Sequence, residues 1–194
     1  MKILSVLWGF EDEAIDPCNG TKSRRLSTEL RSYCFKHMKI FASKLMERNF
    51  FDERSVPHIP DRLRNTFLSV PFFETQGCVF FDFLLKPESR GEFNFHRYGN
   101  RTRCEASVNG FHVKDFCDKK ELAISVGFVF LHEFIKKWRA SSDENIFIYF
   151  GVAAKEEEFG PDATFSFHKK RKNEAWMDVE EIEGVDGAIM AIEI

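Results

Sequence analysis

The fold depends most on residues 92–114, which read EFNFHRYGNRTRCEASVNGFHVK. Two turn signals divide this stretch, YGNR at 98–101 and VNGF at 108–111. An Asn-Gly pair between alternating apolar and polar residues is the strongest short-range sign of a two-residue β-hairpin. The stretch therefore predicts three consecutive antiparallel strands that form a meander.

Counting outward from the two turns sets the register of the predicted strands. The first hairpin pairs Phe95 with Cys104 and Phe93 with Ala106, and the second places Val113 opposite Ala106. These side chains share the predicted core face, because a slip of one residue would exchange the two faces of a strand. The opposite face collects the polar side chains Glu92, Asn94, His96, Tyr98, Arg101, Arg103, Glu105, His112 and Lys114.

Phenylalanine dominates the sequence, with 23 in 194 residues. Aromatic side chains favour the half-buried, pleated surface of a sheet, so the runs of phenylalanine indicate a sheet with an aromatic core. Further strands are predicted at residues 2–8, 66–73, 146–153, 164–168, 175–179 and 187–194.

Two long helices are predicted, at about residues 24–50 and 119–139. The first has apolar residues at three- and four-residue spacings and begins after Ser23. The second begins after Asp118, which can cap it, and Glu121 completes a capping box. Its first half is apolar on almost every side, so a buried helix is preferred. Valine and phenylalanine favour strands, so a strand stays open as the alternative for part of this stretch.

Length and composition place residues 1–194 in one α+β domain, in which the antiparallel meander packs against two long helices. A net charge of −3 gives no overall field for nucleic acid or an anionic membrane. The five cysteines are scattered and form no C-x-x-C pair, which argues against a disulfide framework or a zinc site. No secretory signal or membrane-length apolar run is present, so we predict a cytoplasmic protein without metal or cofactor.

One candidate active site lies on the polar face of the predicted meander. Asp82 stands among bulky apolar residues, and extending the meander would place Asp82 beside His96 and His96 beside Arg103. His96 would act as a general base oriented by Asp82, and Arg103 would hold an anion. The simpler alternative is a solvated sheet face with cross-strand ion pairs, and the sequence has no nucleotide-binding or hydrolase motif.

Charge is segregated along the chain. Residues 22–48 contain eight Lys and Arg, residues 168–172 read HKKRK, and residues 174–194 contain seven acids without a Lys or Arg. The basic residues 22–48 overlap the first predicted helix, and no platform on which bases could stack accompanies them. A solvated helix face is therefore preferred to a nucleic-acid interface. The acidic residues could instead dock a basic protein or serve as a charged edge that blocks sheet aggregation. The predicted partner-binding residues are Asp178, Glu180, Glu181, Glu183 and Asp186.

In its overall architecture, the chain resembles the small cytoplasmic immunity proteins of bacterial contact-dependent inhibition and other polymorphic toxin systems. The shared features are an antiparallel α+β domain, no catalytic motif, acidic clusters and a C-terminal strand that ends with residues 188–194. The resemblance implies a protein that binds one cognate toxin domain, often a nuclease, and covers or distorts its active site. The alternative is a hydrolase or nucleic-acid-processing enzyme that uses the face around His96.

Overall fold

A computed structural model describes residues 38–48, 58–85, 95–153 and 161–194 of the chain. The strands are β1 (Lys39–Ala42), β2 (Phe72–Thr75), β3 (Cys78–Phe81), β4 (Phe111–His112), β5 (Ile146–Ala153), β6 (Asp162–Lys169) and β7 (Ala188–Glu193). The α-helices are α1 (Lys44–Arg48), α2 (Asp61–Leu63), α3 (Arg101–Val108) and α4 (Ala123–Ser141), and π-helical Arg64–Leu68 continues α2. Within these ranges no helix has the length and hydrophobicity needed to cross a membrane.

The main sheet has five antiparallel strands in the order β1-β7-β5-β6-β4. Successive side chains of each strand point to opposite sides of this sheet, so it has two faces. The helix face, with Phe150, Phe165 and Phe167, packs against α4 in the main hydrophobic core. The opposite face, here called the cleft face, carries residues such as Tyr149 and Thr164. The predicted strands at 146–153, 164–168 and 187–194 are confirmed as β5, β6 and β7.

Helix α4 confirms the second of the two predicted long helices. Gly127 lets it approach the sheet, because a Cβ there would lie 2.7 Å from the Cβ of Ala163 and 3.0 Å from the ring of Phe150. The predicted capping box at Asp118 is wrong: a turn of 3-10 helix precedes α4, and Leu122 stands at the N-cap without a side-chain cap. A buried apolar face, rather than a cap, fixes this helix.

The predicted meander is wrong, since residues 101–108 form helix α3. The Asn100 side chain accepts a hydrogen bond from the backbone N–H of Arg103 at 2.8 Å, which is the N-cap arrangement. A type I′ hairpin turn needs positive φ at both central residues, but φ is −156° at Asn100 and −79° at Asn109. The two asparagines therefore cap α3, Asn100 at its start and Asn109 at its end, instead of turning hairpins.

Some of the predicted burial holds despite the wrong register. Cys104 and Ala106 are buried and Arg103 is exposed, but as neighbours on a helix. Glu105, predicted on the polar face, is completely buried. Val113 is buried and His112 is exposed, as predicted; Phe95 is half-buried, and Phe93 lies outside the described residues.

A hairpin does occur elsewhere, between β2 and β3. Gln76 and Gly77 have φ of 51° and 76°, the positive values that a type I′ turn requires. The hairpin packs Phe81 against Phe167 at 5.0 Å between ring centroids. The strand predicted at 66–73 is largely wrong. Residues 66–68 are helical, and only Phe72 and Phe73 lie in a strand, which is β2.

Two further element predictions fail. Within the predicted helix at about 24–50, the described residues form strand β1 and the five-residue helix α1, so only one long helix is found in the described chain. Residues 175–179, predicted as a strand, form bends and irregular chain instead. The predicted strand at 2–8 and the start of the first helix lie outside the described residues.

Helix α3 is fixed to both sheets by buried polar side chains. Glu105 accepts hydrogen bonds from the backbone N–H groups of Val79 at 2.7 Å and Lys169 at 2.9 Å. Its carboxylate also pairs with Arg171, at 2.5 Å from Oε2 to Nη1 and 2.9 Å from Oε1 to Nη2. Asn109, one turn later, accepts from the N–H of Phe81 and donates to main-chain carbonyls of β3 and β6. Satisfied networks of this kind determine a single packing arrangement.

Candidate functional site

A cleft opens on the cleft face of the main sheet, with a volume of about 290 Å³. The end of α3 forms one side, and the segment that follows β6 forms the other. Ser166 ties the first side to the sheet, because its hydroxyl donates to the carbonyl of Ala106 at 2.6 Å. The side chains that line the cleft and bear on its chemistry are Ser107, His112, Tyr149, Thr164 and Trp176.

A histidine and an aspartate form a close pair at the rim of this cleft. His112 Nδ1 lies 2.6 Å from Asp162 Oδ2, with the His112 side chain about half exposed and the Asp162 side chain almost wholly buried. Lys114 supports the same carboxylate: its ammonium lies 3.3 Å from Oδ2, and its backbone N–H donates to Oδ1 at 3.3 Å. Strand pairing creates this geometry, because β4 places His112 opposite Thr164, two residues after Asp162 on β6.

The wall and floor of the cleft are an aromatic pair and a glycine. Trp176 is about one-third exposed and meets Tyr149 edge to face, with 4.7 Å between the ring centroids. Gly151 makes room at the floor for the Thr164 side chain, because a Cβ at 151 would lie 2.5 Å from the Thr164 hydroxyl oxygen. A largely apolar cavity with a few polar groups at its rim is the usual form of a small-ligand site.

A second surface, the acidic segment 178–186, also lies on the cleft face. The side chains of Asp178, Glu180, Glu181, Glu183 and Asp186 are all exposed. Between them, Ile182 is buried in a cluster with Tyr149 and Ala191. Asp178 Oδ1 accepts the N–H of Glu180 at 2.9 Å, which stabilises the turn. The segment therefore holds its apolar residues against the sheet and turns its carboxylates to solvent.

The three residues of the predicted active site do not form the predicted row. Asp82 is half-buried in a 3-10 turn and Arg103 is exposed on α3, so neither lies in a strand. His96 also lies in a 3-10 turn, and its side chain is outside the described part of the structure. The geometry instead brings together His112 and Asp162, of which only His112 appeared in the predicted polar face.

The chain matches the model of the uncharacterized protein PM0498 family over residues 37–194. It belongs to this family. A relative, "uncharacterized protein PM0498" of Pasteurella multocida (strain Pm70), is 26% identical over 123 residues, which are 61% of this chain and 76% of the relative. No solved structure matches the chain.

Both surfaces lie within the part that matches the PM0498 family. In the described ranges, no three His, Cys, Asp or Glu side chains converge as a metal site. The described cysteines Cys78, Cys104 and Cys117 are free, and burial raises the pKa of each thiol to about 11 or 12. Their thiols therefore stay protonated near neutral pH, which does not suit a nucleophile.

A half-buried lysine of this PM0498-family chain has a structural role. Lys137 of α4 donates to the carbonyls of Phe67 and Val70 and lies 4.4 Å from the ring centroid of Phe72. Burial lowers its pKa to about 8. Its ammonium therefore joins α4 to the π-helical segment and to the residues that follow that segment.

His168 is buried beside the cleft in this PM0498-family fold. Its ring stacks on Tyr149 with 5.5 Å between centroids, and Nδ1 donates to the carbonyl of Lys169 at 2.9 Å. Nε2 is buried with no hydrogen-bond partner in the described structure. Burial is the main reason that the pKa of His168 falls to about 4.

We expect His168 to make the protein less stable in acid. The unfolded state binds the proton at its ordinary pKa of 6.5 and the folded state only near 4, so stability is complete above 6.5 and declines as pH falls. Between these two pKa values the free energy of unfolding falls by about 3 kcal/mol. Urea unfolding of wild type and His168→Phe at pH 7 and pH 4.5 should show a smaller pH effect in the variant. Equal pH effects in the two proteins would contradict this role.

Proposed function

We propose that this chain is a binding protein of the immunity type, which neutralises a cognate bacterial toxin domain by covering or distorting its active site. The observation that carries the proposal is the acidic segment 178–186, whose five carboxylates are all exposed while Ile182 anchors it to the sheet. We also propose that the protein acts in the cytoplasm, which is consistent with the free state of the three cysteines in the described residues.

The carboxylates of the acidic segment are available to a partner. Glu183 lies 3.7 Å from the ammonium of Lys44, but both side chains are about 70% exposed, and such pairs contribute little. No Lys or Arg occurs in residues 173–194. The segment thus presents negative charge that would complement the basic cleft of a nuclease and speed the encounter.

The acidic segment is anchored to the sheet by its apolar residues, and this favours a stable complex over a transient electrostatic encounter. Met177, Val179 and Ile182 pack on the cleft face with Tyr149, whose hydroxyl is hydrogen-bonded to the backbone of Met177. A surface held in place before binding loses less conformational entropy when the complex forms. This arrangement suits a protein that must find and hold one partner.

We expect charge reversal in the acidic segment to slow binding of the toxin. The product of the adjacent reading frame is the partner to test, with association measured by stopped flow. Glu180→Lys with Glu181→Lys should lower the association rate about tenfold or more at low salt, and much less at about 0.5 M salt, where charges are screened. The melting temperature should stay nearly unchanged, because both side chains are exposed.

Asp118→Lys with Glu121→Lys is the matched control, since these exposed acids lie outside the acidic segment and the net charge changes equally. Equal slowing in both double variants would mean that net charge, and not this surface, governs the encounter. A segment variant that binds and protects like wild type at low salt would exclude the acidic segment as the interface.

A further inference from the structure

The cleft holds an oriented histidine that the proposed binding surface does not use. The Lys114 ammonium lies 3.3 Å from Asp162 Oδ2, and the Lys114 backbone N–H donates to Oδ1 at 3.3 Å, so both oxygens of this carboxylate act as acceptors. An ionised carboxylate only accepts hydrogen bonds, so the proton in the 2.6 Å contact lies on His112 Nδ1. In the neutral ring, Nε2 is then an acceptor, held in orientation at the rim of the cleft.

The rest of the cleft is largely apolar. Trp176 and Tyr149 supply the aromatic wall, and Gly151 lies at the floor with the Thr164 side chain packed beside it. A volume of about 290 Å³ lies near the lower end for small-molecule sites. Aromatic walls favour planar ligands, which stack or meet them edge to face.

We propose that this cleft binds a small planar heteroaromatic ligand that carries a ring N–H. The ring lies against Trp176, beside Thr164, and its N–H donates to Nε2 of His112. The hydroxyl of Thr164, which is exposed on the same face, provides a second polar contact at the rim. The site is independent of the acidic segment, so either proposal can fail without the other.

Indole and 1-methylindole are the probes, because they share a shape and differ in the N–H. Amide shifts in a ¹H–¹⁵N NMR titration of the full chain report both the dissociation constant and the place of binding. We expect indole to shift the amides around Gly151 and Thr164 at millimolar concentration, and 1-methylindole to bind about fivefold more weakly, as the loss of one hydrogen bond predicts.

Two variants separate the hydrogen bond from the cavity. His112→Phe keeps a ring at the rim but removes the hydrogen-bond acceptor. The affinity for indole should then fall about fivefold, to that for 1-methylindole. Ser107→Trp fills the cleft from an exposed helix position, and both probes should then lose binding. Lys136→Gln, on the exposed side of α4, is the control and should bind like wild type.

The proposal is overturned if indole shifts no cleft amide up to about 10 mM, a limit that corresponds to negligible affinity. It is also overturned if the shifts persist in Ser107→Trp, which would place the probe elsewhere. If indole and 1-methylindole bind equally, and His112→Phe changes neither, the hydrogen bond to His112 is refuted. A Ser107→Trp spectrum that stays dispersed without probe establishes that the variant is folded.

Discussion

Replacing Arg171 with alanine should lower the free energy of unfolding by about 3–5 kcal/mol, because it leaves the carboxylate of Glu105 buried without its counter-charge. Glu105 is completely buried, and Arg171 is its ion-pair partner. Arg171 also donates to the carbonyl of Gly77 at 2.7 Å, so the β2–β3 hairpin loses a contact as well. Urea unfolding followed by tryptophan fluorescence measures the change.

Arg171→Lys and Arg139→Ala are the comparisons for this prediction. The lysine keeps the charge but cannot form the two parallel hydrogen bonds of the guanidinium, so its effect should be intermediate. Arg139 is exposed near the end of α4, and its loss should change the stability by less than about 0.5 kcal/mol. Arg171→Ala with wild-type stability would show that the ion pair does not hold the fold.

Phe134→Ala should cost about 3–5 kcal/mol, the usual price of removing a buried ring and leaving a cavity. Phe134 is completely buried, and its ring lies 4.8 Å from that of Phe165 and 5.0 Å from that of Phe167. It therefore joins α4 to the centre of β6. Thermal or urea unfolding at neutral pH measures the loss.

Phe83→Ala is the matched control for Phe134. The Phe83 side chain is 58% exposed, so its removal should cost less than about 1 kcal/mol. Phe134→Leu fills part of the cavity and should lie between the two. Similar losses at both phenylalanines would mean that exposure does not decide the energetics of this aromatic core.

Strands β5 and β7 and helix α4 could be predicted because their signals are local. Ile146, Ile148 and Phe150 alternate with residues of the opposite face, and this period of two identifies a strand without knowledge of its partners. For α4, the long apolar run left strand open as an alternative, and its length correctly favoured helix. Tertiary packing agrees with the local pattern in these elements.

Helix α3 was missed because the side it buries is largely polar. Thr102, Glu105 and Asn109 have helical spacing and are all buried, but hydrophobic periodicity does not detect such residues. Asparagine at 100 and 109 added to the error, because it favours both hairpin turns and helix ends. Only the partners of these side chains, on β3 and β6, explain why the segment is helical.

The cleft could not be read from the sequence, because strand pairing creates it. His112 and Asp162 are 50 residues apart, and neither belongs to a motif with a recognisable spacing. The acidic segment was easier to recognise, since a dense run of acids indicates exposure wherever it lies in the fold. The Gln76-Gly77 turn also had a sequence signal, with Phe-rich runs on both sides.

The position of β7 determines when the fold can be completed during synthesis. It is the last described strand in sequence, yet it lies between β1 and β5 and pairs with both. Lys39 of β1 pairs with Glu193, more than 150 residues later. Translation over that distance takes roughly 10–30 s, during which β1 lacks its partner strand. We therefore expect nascent chains to expose the unpaired edge of β1 to chaperones until β7 emerges.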